Sequence, residues 1–281
     1  MFENWPVRQP PVSWIEQRSC TVVSKRKAMA TAEATRVKKT YDYDISADTT
    51  KLSSDGYMFV DTPCSMDAVQ TMYNYFVSRP CYDFYGTHQS FDLNTPPHGV
   101  KLGRHSIKDN LACPGLIDVI TNEKLIKTAS NFLNAPATLS LVLPMWSFPY
   151  QSKAPINMQL FHRDADDYKF VKFFMYLSDV EQGEGEQVYI QGTNEDPSLP
   201  PSLYAINRYP DADIESALPD REKKVIVGKA GTSWFADTYG IHRGTVPSTK
   251  KRLLLQLQFS YNPVPIFNYR SYRFKRWDNL S

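Results

Sequence analysis

The chain of 281 residues is long enough to bury a substantial core without cross-links. Its 32 Lys and Arg against 30 Asp and Glu leave a net charge of +2, which gives no general argument for nucleic-acid binding. No stretch reaches the roughly 20 consecutive apolar residues that span a bilayer, the N-terminus has no apolar signal core, and Cys20, Cys64, Cys81 and Cys113 are scattered without disulfide or metal-site spacing. The expectation is a cytoplasmic protein with reduced thiols and no membrane partner.

Residues 1–45 mix Pro, Ser, Thr and basic side chains without a sustained period and read as a basic N-terminal extension. A single domain is expected over 46–262. It opens with a short strand at Gly56–Val60. Ser65 then caps a helix whose Met66, Val69, Met72, Tyr73, Phe76 and Val77 recur at helical spacing. Residues 80–112 read as loop, and a second helix follows Asn122, with Leu125, Ile126, Ala129, Phe132 and Leu133 on one face. Strand texture takes over at 139–146, 156–162, 170–177, 186–190, 223–227, 232–237 and 252–260. With Gly56–Val60 that makes eight short strands and helices confined to the N-terminal half, an α+β chain on a double-sheet jelly roll.

Residues 191–222 carry Pro197, Pro200, Pro201, Pro210 and Pro219 and little periodicity, the pattern of a lid loop. Its expected substrate contacts are Tyr204, Arg208 and Tyr209, which combine apolar area with hydrogen-bonding groups. The segment 263–281 is a basic, aromatic tail. A packed tail with solvated cations accounts for it more economically than a nucleic-acid surface.

The chemistry concentrates in three places. His162 and Asp164 lie two apart at a strand end, so continued extended backbone turns both side chains to one face and Arg163 to the other. A second histidine from a distant strand completes a two-histidine, one-carboxylate triad, which suits octahedral Fe(II) and leaves adjacent positions open for cosubstrate and dioxygen. Of the five histidines, His242 is the best placed, between two strand patterns. The last strand alternates Arg252, Leu254, Gln256 and Gln258 against Leu253, Leu255, Leu257 and Phe259. Its polar face suits a barrel interior, where a guanidinium pairs with the far carboxylate of a dicarboxylic cosubstrate. Lys172, Phe174 and Tyr176 share one face of another strand, which makes Lys172 and Tyr176 candidate pocket residues; Thr245, three residues past His242, is a candidate hydroxyl donor to the cosubstrate.

Around these residues the chain resembles the phytanoyl-CoA dioxygenase family of Fe(II)/2-oxoglutarate oxygenases. The likeness is carried by Gln159–Ala165, Lys172–Val180, Val188–Thr193, Asp237–Gly244 and Arg252–Gln256, and extends more weakly over about 52–261. It implies a double-stranded β-helix with N-terminal helices on one sheet, iron on His162, Asp164 and His242, and the distal 2-oxoglutarate carboxylate on Arg252. The implied reaction hydroxylates an unactivated C–H of a small molecule, free or carried as a thioester or on a carrier, and releases succinate and CO2. Gly185-Glu186-Gln187 and Gly192-Thr193-Asn194 depart from the family pattern, so the resemblance carries no substrate. Two other readings compete: a metal-dependent isomerase or hydrolase of the same fold that ignores 2-oxoglutarate, and a non-catalytic binding module. Arg252 beside three facial ligands argues against both.

Overall fold

The computed structural model describes residues 23–38, 47–86, 89–150, 155, 157–204 and 207–261. The expected C-terminal tail, Cys20 and the first 22 residues lie outside the described residues; Cys64, Cys81 and Cys113 are free thiols.

Alternating apolar residues build two facing antiparallel sheets. The larger has eight strands in the order β1 (Tyr57–Val60), β11 (Ser233–Ala236), β7 (Phe170–Tyr176), β13 (Arg252–Ser260), β5 (Thr138–Ser147), β4 (Leu102–Arg104), β2 (Cys81–Asp83) and β3 (Ser90–Phe91). The smaller has five, β10 (Lys223–Ile226), β8 (Gln187–Ile190), β12 (His242–Gly244), β6 (Phe161–His162) and β9 (Arg208–Tyr209). Taken along the chain, β5, β6, β7, β8, β10, β11, β12 and β13 divide equally between the two sheets. This is a double-stranded β-helix, or cupin-like jelly roll.

The alternation read in the sequence has its physical counterpart in β13 and β7. Leu253, Leu255, Leu257 and Phe259 join Val171, Phe173, Met175 and Leu177 on the outer face of the larger sheet. Helices α2 (Thr50–Asp55), α3 (Met66–Val77), α5 (Leu116–Ile120) and α6 (Glu123–Leu133) cover that face through Leu52, Val69, Met72, Phe76, Leu116, Val119, Leu125, Ala129 and Phe132. Each such side chain contributes about 1.5–3 kcal/mol by leaving water. The opposite faces supply Phe174, Tyr176, Trp234 and Leu254 to a cluster inside the barrel. The two expected helix starts are as read: Ser65 accepts from Ala68 N at 3.2 Å and Asn122 from Leu125 N at 3.2 Å.

Three segments differ from the sequence reading. Part of the N-terminal extension is the helix α1 (Val23–Lys38), docked through Ala34 and Val37 while Arg26 lies 3.6 Å over the Tyr239 ring. Small apolar residues interleaved with buried Arg26 and Glu33 leave no helical stripe to read. Residues 80–112 hold β2, β3, β4 and the helix α4 (Ile107–Leu111), each too short to show a period. The strand expected at 156–162 shrinks to Phe161–His162 behind a 3-10 turn at Asn157–Gln159.

Residues 191–222 also contain structure: a 3-10 turn at Pro201–Tyr204, the edge strand β9 and the helix α7 (Asp211–Ala217). Leu199, Leu203, Tyr204, Tyr209, Ile214 and Leu218 pack on Phe161, Val188, Ile190 and Ile241, the outer side of the smaller sheet. No helix among the described residues is long and apolar enough to cross a membrane.

Candidate metal centre

His162 and His242 are directly paired across β6 and β12, so they project from one face of the smaller sheet into the barrel. Their ring centroids are 4.3 Å apart. Each Nδ1 lies against the carbonyl two residues earlier, Leu160 O at 2.8 Å and Gly240 O at 2.9 Å. A carbonyl only accepts, so each Nδ1 carries the proton and each Nε2 keeps its lone pair.

The Nε2 atoms converge on Asp164: His162 Nε2 is 3.6 Å from Oδ1, and His242 Nε2 is 3.6 Å from Oδ2. One ligand atom from each of the three residues falls within 4.8 Å of the others. Asp164 lies beyond the end of β6, where its own N–H donates to Thr238 O at 2.8 Å. That bond to the β11–β12 turn, rather than strand alternation, aims the carboxylate. Arg163 does turn away, to the outer side, where Nε donates to Leu203 O at 2.5 Å and Nη1 to Tyr239 O.

Burial pushes His162 down to about 3, with His242 beside it adding to the shift, and burial lowers His242 as well. Both imidazoles are therefore neutral at pH 7, the form that ligates a metal. Burial acts to raise Asp164, but the groups around it, the Lys172 ammonium first, outweigh burial and hold the carboxyl well below its usual range. Lys172 Nζ donates to Asp164 Oδ2 at 2.6 Å and lies 3.7 Å from Asp166 Oδ2. Two lone-pair nitrogens and an ionised carboxylate make a donor set that fits a divalent first-row metal.

Arg252 lines the same cavity as His162, Asp164, His242 and Lys172. It is 2% exposed, donates from Nη2 to Ser147 Oγ at 2.8 Å and from Nη1 to Gly185 O, and its buried Nε has no partner. Gln187, turned to satisfy both ends of its amide, accepts from Nη1 at 3.2 Å. No carboxylate among the described residues forms an ion pair with it. A buried guanidinium with an unmet donor and no ion-pair partner is a fit for a carboxylate that arrives from outside.

The remaining candidates separate. Thr245 borders the cavity with its hydroxyl on Glu186 Oε2 at 2.8 Å. Tyr176 is buried within the barrel, donating to Ile226 O at 2.7 Å and accepting from Gln187 N at 3.0 Å. Tyr204 and Tyr209 pack on the outer side of the smaller sheet, their hydroxyls on Asp196 O and Ser202 O. Arg208 is directly paired with His162 across β9 and β6 and shares its inward face. The sequence reading missed Ser147 and Gln187, which strand register brings to the cavity, and Asp166, which lies 3.7 Å from Lys172 Nζ; nothing in their spacing marks them. His105 serves structure: it accepts from Trp146 Nε1 at 2.9 Å while its Nδ1 meets Pro80 O at 2.9 Å.

The turn Asp237–Gly240 delivers His242, and a methyl on Gly240 would overlap the Tyr189 hydroxyl. Burial raises the Asp237 carboxyl to about 6. Its folded value exceeds the unfolded one, so its stabilising contribution is full below about pH 4 and is lost as pH rises through about 6. Relative to Asp237→Asn, the parent should lose up to about 3 kcal/mol between pH 4 and pH 7, at 1.36 kcal/mol for each pKa unit. Urea midpoints at the two pH values measure it, and a constant difference refutes it.

No protein-family model matches the chain, and no curated protein matches it. Solved structures do. The epimerase SnoN in complex with Fe3+, alpha ketoglutarate and nogalamycin RO superposes with a TM-score of 0.55 at 12% identity, covering 82% of this chain and 84% of that one. The non-heme alpha ketoglutarate dependent carbocyclase SnoK from nogalamycin biosynthesis gives 0.53 at 12%, covering 83% and 91%. HygX from Streptomyces hygroscopicus, with nickel, 2-oxoglutarate and hygromycin B bound, gives 0.52 at 15%, covering 77% and 85%. At such identities the likeness establishes a shared cupin-like fold.

Proposed function

We propose that the protein is an Fe(II)/2-oxoglutarate-dependent oxygenase of the phytanoyl-CoA dioxygenase type, acting on a small molecule. One observation carries the reading: His162, Asp164 and His242 converge within 4.8 Å in the same cavity as a buried Arg252 that has no ion-pair partner. A metal-dependent isomerase or hydrolase that ignores 2-oxoglutarate has no use for that arginine. The fold relatives that bind iron or nickel together with the oxoacid support the same conclusion.

His162 and His242 hold the metal through Nε2, oriented by the Leu160 and Gly240 carbonyls, and Asp164 supplies the anionic ligand. Arg252 receives the distal carboxylate of 2-oxoglutarate, with Ser147 and Gly185 fixing the plane of the fork. When bound, iron and the oxoacid supply the activation of dioxygen needed to attack an unactivated C–H, with release of succinate and CO2. Hydroxylation is the outcome proposed. Ring closure and epimerisation, the reactions named for SnoK and SnoN, are the second reading. Incubation with Fe(II), 2-oxoglutarate and air should yield succinate above the iron-free control. Absence of 2-oxoglutarate binding to the metal-loaded protein would sink the proposal.

A further inference from the structure

Lys172 and Arg252 line the cavity, and a third cation, Arg208, leaves the same sheet face as His162. Lys172 is held between Asp164 and Asp166, and Arg252 is fixed by Ser147 and Gly185 at the other end of the cavity. Arg208 is different. Among the described residues its one hydrogen bond is from Nη1 to the carbonyl of its own neighbour, Asn207, at 3.3 Å. Its Nε is shielded from solvent and has no partner, and no carboxylate among the described residues pairs with it. The unused edge, Nε with Nη2, presents two parallel N–H donors, the fork that grips a carboxylate or phosphate.

Position gives that edge its meaning. Tyr189, His242, His162 and Arg208 are successive cross-strand partners on β8, β12, β6 and β9, so all four side chains leave the same face of the sheet. The Arg208 side chain thus leaves the inward face beside His162, on the edge strand of the smaller sheet. A solvated surface arginine would keep Nε in water.

We propose that Arg208 docks an anionic group of the substrate, a carboxylate or a phosphate, so that the carbon beside it is presented to the metal site. This deepens the oxygenase reading and rests on it for the word substrate. The substrate class is an anionic small molecule, held by a bidentate fork at one edge of the barrel while 2-oxoglutarate occupies Arg252.

The test uses benzoate, phenyl phosphate and neutral benzamide as probes, titrated by calorimetry into the metal-free full chain carrying Arg252→Ala, so that the second guanidinium takes no probe. One anion should bind at least 10-fold tighter than benzamide, and the tighter of the two identifies the chemistry. Adding Arg208→Gln should erase that preference, and Arg208→Lys should restore it in part. Equal binding of anion and benzamide, or an unchanged preference in Arg208→Gln, overturns the proposal. A second arm measures 2-oxoglutarate uptake by the Co(II)-loaded protein with Arg252 intact. Arg208→Gln should take it up as the parent does. Loss of uptake there makes Arg208 a cosubstrate anchor and also overturns the proposal. Failure of the parent to bind Co(II) or 2-oxoglutarate removes the oxygenase reading instead, while the anion titration still decides whether Arg208 is an anion dock.

Discussion

Replacing His242 by alanine should reduce affinity for Fe(II) or Co(II) by well over about 100-fold, because even the outer partners of a metal ligand are worth about 10–100-fold. The substitution removes one of two neutral Nε2 donors and leaves a two-point site of His162 and Asp164. Lys172 sharpens the effect. Its ammonium bonds Asp164 Oδ2 at 2.6 Å, so an incoming metal competes with an internal cation for the carboxylate and needs both imidazoles to win. The fold should survive, since the barrel is held by clusters to which His242 does not belong. Anaerobic calorimetric titration with the metal, beside thermal unfolding of the same samples, separates the two effects. A His242→Ala protein that binds metal as the parent does would falsify the ligand assignment.

How much of this was legible follows from element length and from register. β5, β7, β8, β10, β11 and β13 are each at least four residues long, and their alternation or apolar runs marked them as strands. β6, β9 and β12 have two or three residues, too few for a period, yet they carry Phe161, His162, Arg208 and His242. His162 and Asp164 were paired on the assumption of a continuous strand. They do converge, but through the bond from Asp164 N to Thr238 O, a partner 74 residues away that no local pattern announces. Arg252 was legible because a cation and two amides alternate with four apolar residues. Ser147, Gly185 and Gln187 were not, since their meeting with it depends on the pairing of β5 with β13 and on a backbone carbonyl. The segment 191–222 read as a lid from its prolines and length. The apolar residues that seat it on the smaller sheet, Leu199, Leu203, Ile214 and Leu218, are spaced irregularly because three short elements share them. Of its three expected contacts, Arg208 alone faces inward, by the period of two that sends neighbouring Tyr209 outward.

Arg252→Ala should weaken 2-oxoglutarate binding by about 100-fold or more, since losing one partner of a buried, hydrogen-bonded charge pair costs about 2–5 kcal/mol. The residue is 2% exposed, so no solvent screens the interaction and no nearby lysine replaces it: Lys172 is already committed to Asp164 and Asp166. Arg252→Lys should recover only part of the affinity, because an ammonium is a point charge that cannot hold Ser147 Oγ and Gly185 O while also offering a planar fork. Ser147→Ala provides the graded control. It leaves the charge in place and removes one 2.8 Å bond that sets the guanidinium plane, for a loss of about 1 kcal/mol or roughly fivefold. Titration of 2-oxoglutarate into Co(II)-loaded samples gives all three affinities, and metal binding measured on the same samples shows that the first site is intact. An order other than parent, Ser147→Ala, Arg252→Lys and Arg252→Ala would place the carboxylate elsewhere. Unchanged 2-oxoglutarate affinity in Arg252→Ala would mean that another group anchors the distal carboxylate, or that a different cosubstrate is the one this buried guanidinium meets.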